Sequence, residues 1–121
     1  MYCAFIDFAA AFDSVWRVGA WQKLLSSSIN GNVFRLIYNM YNDIKSCIFN
    51  DNKMSGFFAC ERGLRQGENL SPIIFSIFLN DLESNLVIAG ARGIDIQYGD
   101  IHQWLRLLVL LYADDTLIIS D

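Results

Sequence analysis

The sequence predicts an α+β fold, a partial antiparallel sheet with helices packed on one of its faces. Three observations carry that prediction. Apolar runs of strand length lie near both ends, at Tyr2 to Phe8 and across residues 105–120. Apolar residues recur at three- and four-residue spacing over residues 32–42. A long apolar segment opens with Ser71-Pro72, a pair that favours helix starts.

Taken in order, Tyr2-Cys3-Ala4-Phe5-Ile6-Asp7-Phe8 reads as a buried strand, polar only at Asp7. Asp13 or Ser14 caps the turn that follows. Ala20 to Leu25 reads as a short helix whose inner face is Trp21, Leu24 and Leu25, ended by Asn30-Gly31-Asn32. Val33, Leu36, Ile37, Met40 and Tyr41 make residues 32–42 an amphipathic helix. Lys45 to Phe49 and Ser55 to Cys60 read as strands joined by the turn Asn50-Asp51-Asn52-Lys53. Gly63-Leu64-Arg65-Gln66-Gly67 is a loop. A helix then runs from the Ser71 cap to about Val87, apolar almost all round and therefore central. Ala89 to Gly93 is a loop, Ile94 to Tyr98 a short strand, and residues 105–120 a hairpin. Trp16, Trp21 and Trp104 are read as packing anchors and His102 as a surface loop residue.

Composition narrows the class. With 121 residues, 54% of them hydrophobic, the chain suits one compact domain and is not disordered by composition. No apolar run approaches the roughly 18 residues of a membrane span, and no basic leader follows Met1. Three scattered cysteines (Cys3, Cys47, Cys60) form neither a disulfide framework nor a zinc pattern and fit a reducing, intracellular compartment. The net charge of −4, with nine dispersed basic residues, supplies no broad phosphate-gripping surface.

Chemistry enters with Tyr112-Ala113-Asp114-Asp115, two adjacent acids between two apolar segments. A hairpin that presents both acids beside the strand of Asp7 would bring three carboxylates within a few ångströms. Like charges that close repel and call for cations between them. Oxygen-only donors select hard cations, Mg²⁺ or Mn²⁺. Two such ions about 3.5–4 Å apart suit in-line phosphoryl displacement, here nucleotidyl transfer. Ordinary turn aspartates remain the alternative on spacing alone.

Three ordered motifs strengthen that reading. Phe5-Ile6-Asp7-Phe8-Ala9-Ala10-Ala11-Phe12-Asp13-Ser14-Val15 resembles the first catalytic motif of reverse transcriptases of the non-LTR retrotransposon type. Gly63-Leu64-Arg65-Gln66-Gly67-Glu68-Asn69-Leu70-Ser71-Pro72, continuing to Asn80-Asp81-Leu82, resembles their second palm motif. Tyr112-Ala113-Asp114-Asp115 is similar to their signature tetrapeptide, so the likeness covers nearly the whole chain.

The resemblance implies a reverse transcriptase palm segment over residues 1–121, acting on an RNA template, a DNA primer and dNTPs with two Mg²⁺ ions. It implies that Asp7 and Asp114 bind both ions, that the Phe8 carbonyl is a backbone ligand, and that Asp115 lies at the site's edge. Phe12 matches an aromatic gate against ribose, Gln66 a nucleotide and template contact, and Tyr112 a residue near the primer end. Arg65 is either a solvated cation or a phosphate contact, and Asp13 is read as a helix cap. The family's fingers and thumb are expected as further partners, without which the isolated segment is expected to be inactive. Two other readings stay open: a non-catalytic retrotransposon remnant serving as a binding module, and an RNA-dependent RNA polymerase, against which Phe12 and Tyr112-Ala113 argue.

Overall fold

The computed structural model describes residues 1–97, 104–112 and 114–120. The chain runs β1 (Tyr2–Asp7), α1 (Ala11–Ser14), α2 (Arg17–Ser26), α3 (Gly31–Tyr41), β2 (Lys45–Ser46), β3 (Phe49–Asn50), β4 (Lys53–Met54) and β5 (Phe58–Ala59). It continues through α4 (Leu70–Leu79), α5 (Leu82–Ile88), β6 (Ile94–Gln97), β7 (Trp104–Leu107), β8 (Val109–Tyr112) and β9 (Asp115–Ser120). Helices and small antiparallel sheets make this a mixed α+β chain. It divides into two compact units, residues 1–11 with 79–121, and residues 12–78.

The first unit holds a three-stranded sheet in the order β1-β9-β8, antiparallel throughout. Its central strand β9 carries the buried residues Thr116 and Ile119. The reading of Tyr2 to Phe8 as a buried strand is corrected: every residue of β1 is exposed, Phe5 at 83%. An apolar run reports β propensity, whereas burial requires a layer on its face. The predicted hairpin over 105–120 is also shorter. Residues 104–107 form β7 and pair with β6, with Ile94 opposite Leu107 and Ile96 opposite Leu105. The break falls at Leu108, 1% exposed, whose carbonyl accepts from the Ile119 amide at 2.9 Å. An unbroken leucine-rich run cannot show that its two halves have different partners. Tyr98, the predicted end of β6, and His102 lie outside the described residues.

The single helix expected from Ser71 to Val87 is two, α4 and α5, interrupted at Asn80-Asp81. Short polar side chains of this type compete with the helix for backbone hydrogen bonds. Nor is it buried all round: α4 buries Ser71, Ile74 and Phe75 while leaving Ile73 exposed, and α5 buries nothing. Ser71 does not cap a helix that begins at Leu70; its hydroxyl is engaged elsewhere, as described below.

In the second unit α2 buries Gly19, Ala20, Trp21 and Leu24. Leu25, expected inside, is 48% exposed, and Trp16, expected as an anchor, is 61% exposed. The side chain of Trp104 lies outside the described residues. On α3 only Ile37 and Tyr41 are buried; Val33, Leu36 and Met40 of the predicted apolar face are exposed. The strands at 45–59 meet as two short ladders, Lys45 opposite Ala59 and Phe49 opposite Met54. They close on Asp51-Asn52, at φ 47° and 59°. Paired positive φ values match the strands' right-handed twist, and Asn and Asp tolerate them. Among the described residues no helix is long and apolar enough to cross a membrane.

Candidate functional site

The sheet register places the acids. Asp7 ends β1 directly opposite Asp115, which begins β9, and Asp115 in turn stands opposite Tyr112, the end of β8. Residues opposite one another across antiparallel strands share a face, with Cβ atoms about 4.5–5.5 Å apart. Asp7, Asp115 and Tyr112 therefore form one row at the end of the sheet. Asp114 lies outside the row, in the turn closing β8 onto β9, and is half-buried while Asp7 and Asp115 are exposed. Ala113 lies outside the described residues.

Of the three expected carboxylates the register sets two opposite one another, Asp7 and Asp115, with Asp114 in the adjoining turn. Among the described residues no group of three or more His, Cys, Asp or Glu side chains is gathered closely enough to hold a metal ion. Asp114 precedes β9 in the turn, so the register that aligns Asp7 with Asp115 leaves it out of their row. Two carboxylates facing one another across a ladder are mutually repulsive without a cation. Oxygen donors of this kind suit hard cations such as Mg²⁺, so the facing Asp7–Asp115 pair is chemically suited to one. The row borders an open groove of about 630 Å³ whose apolar lining includes Phe5, Leu110 and Leu117.

Phe8 follows β1 and is half-buried. Phe12 and Gln66 belong to the second unit, which has a different construction. Phe12 is half-buried and its ring stacks on Phe75, centroids 4.9 Å apart and planes at 24°. The Gln66 loop is tethered along its length. Arg17 Nε donates to the Gly63 carbonyl at 2.7 Å, Nη1 to Cys60 at 2.7 Å and Tyr41 at 3.2 Å, and Nη2 to Arg62 at 3.1 Å. Tyr41 ends α3, so the same guanidinium neutralises the negative end of that helix. Burial draws the Arg17 pKa down, and Cys60 and Tyr41 oppose that shift. Guanidinium nevertheless stays charged at neutral pH.

Beneath the loop, Ser71 Oγ donates to the Arg65 carbonyl at 2.5 Å. With its one proton committed, Ser71 must accept from the Tyr41 hydroxyl, 2.9 Å away. The Tyr41 ring lies under Arg17 at 5.6 Å and Arg65 at 6.0 Å, with Trp21 edge-on at 5.5 Å. Arg65 Nη1 also bonds Glu68 at 2.7 Å, which raises the guanidinium pKa. Asp13, read from sequence as a cap, instead accepts from Gln66 Nε2. The loop borders an open hollow of about 1050 Å³ that Asp13, Arg17, Arg62 and Arg65 help to line.

Sequence reading missed the roles of Arg17, Tyr41 and Ser71. One signal was available: a cation in the first turn of a helix opposes the macrodipole, so Arg17 at the start of α2 needs a tertiary reason.

The acidic row and the tethered glutamine loop carry residues of the three sequence motifs. Over residues 1–121 the chain matches the sequence profile of the family described as reverse transcriptase (RNA-dependent DNA polymerase), and it belongs to that family. It is also similar to the RNA-directed DNA polymerase from mobile element jockey of Drosophila funebris, 29% identical over 117 residues. That alignment covers 96% of this chain and 11% of the jockey protein, so the chain spans a small part of the relative's length.

Proposed function

We propose that this segment forms part of the palm of an RNA-directed DNA polymerase. It would add dNTPs to a primer 3′-hydroxyl on an RNA template, inside the cell and together with fingers and thumb segments. In the reaction the primer 3′-hydroxyl loses its proton to water, its oxygen forms a bond to the α-phosphorus, the bond from that phosphorus to the oxygen bridging the β-phosphate breaks, and pyrophosphate leaves. The observation that carries the reading is Asp7 opposite Asp115 at the mouth of the hairpin that bears Asp114.

Asp7, Asp114 and Asp115, with the Phe8 carbonyl, would hold two Mg²⁺ ions, which supply a more acidic 3′-hydroxyl and neutralise charge on the phosphates. Tyr112, in the acidic row, packs near the primer end. Phe12, held against Phe75, excludes a ribose 2′-hydroxyl by its bulk. Gln66, on its tethered loop, contacts the nucleotide. Its nine basic residues are dispersed and offer no broad grip on nucleic-acid phosphates, so the isolated chain would be inactive.

In the full-length polymerase containing this segment, Asp7→Asn and Asp114→Asn should each lower primer extension by at least about a hundredfold, the scale on which electrostatic stabilisers act. Circular dichroism should remain that of the parent. Extension within a few-fold of the parent by either variant would remove that residue from the site.

A further inference from the structure

Three contacts lock the Gln66 loop to residues 12–15, all within the second unit. The Leu64 amide donates to the Phe12 carbonyl at 2.7 Å, and the Gly63 amide to that of Val15 at 2.9 Å. Gln66 Nε2 approaches both oxygens of Asp13, at 3.1 and 3.0 Å. The approach is so close that a Cβ on Gly63 would lie 2.6 Å from the Asp13 carbonyl oxygen.

The third contact has a chemical consequence. A carboxylate accepts and cannot donate, so the nitrogen end of the Gln66 amide must face it. The carbonyl oxygen Oε1 is then turned away from Asp13. A glutamine without such a neighbour presents either end, because the two differ little in shape. Phe12, which adjoins Asp13 and shares a backbone bond with the loop, keeps its ring fixed on Phe75.

We infer that Asp13 is a positioning residue: by holding the Gln66 nitrogen it turns the Gln66 carbonyl oxygen outward, so the loop selects a hydrogen-bond donor on the incoming nucleotide. The inference rests on the proposed role of Gln66 as a nucleotide contact. The bonds from the loop to Phe12, the proposed gate, favour the nucleotide over the template as the partner. Both Asp13 and Gln66 are exposed, so water competes with the bond and its effect is modest.

Single-nucleotide incorporation by the full-length polymerase tests this, with primer–template affinity measured separately. Asp13→Ala should raise KM for dNTP about fivefold and leave kcat and primer–template affinity within about twofold, the scale of one hydrogen bond. Asp13→Asn, whose Oδ1 still accepts, should raise KM less. Asp13→Ala combined with Gln66→Ala should be no worse than Gln66→Ala alone, since one side chain acts through the other.

If Gln66→Ala itself leaves KM unchanged, the nucleotide contact fails, and the inference with it. If Gln66→Ala raises KM but Asp13→Ala does not, or the two effects add in full, the positioning role is overturned and the contact stands. A loss of primer–template affinity in place of the KM effect would make the template the partner and overturn the inference. Should Asp13→Ala fail to fold, Asp13→Asn alone and with Gln66→Ala provides the same comparison.

Discussion

The acidic row and the Gln66 loop place their side chains in opposite ways. In the β1-β9-β8 sheet, backbone register does the placing: Asp7, Asp115 and Tyr112 align because their strands pair, and no side-chain bond is required. Around the loop, side chains place the backbone. Arg17 reaches four carbonyls, Ser71 holds the Arg65 carbonyl, and Asp13 holds the Gln66 amide. A ladder shares its geometry among many equivalent backbone bonds, so a single side-chain change alters it little. A tethered loop concentrates its geometry in a few groups, and each is a point of failure.

The sharpest way to break that contrast is Gly63→Ala. Gly63 has φ +84° and lies against the Asp13 backbone, so a methyl group meets both a disfavoured conformation and a fixed atom. The expected loss is about 3 kcal/mol of stability, from left-handed backbone strain plus the clash. Hydrogen exchange should show lost protection around residues 60–66 with the β1–β9 ladder unchanged. Equal loss in both places would mean that the two constructions are not separable.

Arg17→Lys comes next, with an expected cost of about 2 kcal/mol by chemical denaturation. A lysine keeps the charge but lacks the planar fork that satisfies several carbonyls at once. A variant as stable as the parent would show that charge, rather than the fork, holds the loop.

The smallest effect is expected in the sheet. Thr116 is 3% exposed and its hydroxyl has no hydrogen-bond partner among the described residues. Thr116→Val removes that uncompensated polar group at nearly constant shape and should stabilise the chain by about 1 kcal/mol. The β1–β9 register should persist in the exchange pattern. Destabilisation by a similar amount would show that the hydroxyl has a bonding role.

Local chemistry was legible in the sequence wherever neighbouring residues decide the outcome. The strand entering Asp7, the loop at Gly63–Gly67, the existence of helix α3 and the turn around Asp51-Asn52 all follow from propensity, period and φ tolerance. The family was legible by another route, the resemblance of three ordered motifs to those of reverse transcriptases. Tertiary structure alone decided what each segment pairs with or leaves uncovered: β7 joining β6 rather than extending the hairpin, β1 lying exposed, Asp114 standing outside the acidic row, and Arg17 binding carbonyls as far as 46 residues along the chain. Backbone preference is a short-range property set by the side chains beside it. Pairing and burial depend on which surfaces meet after the chain has closed long loops, and residue spacing along a single sequence carries no record of that choice.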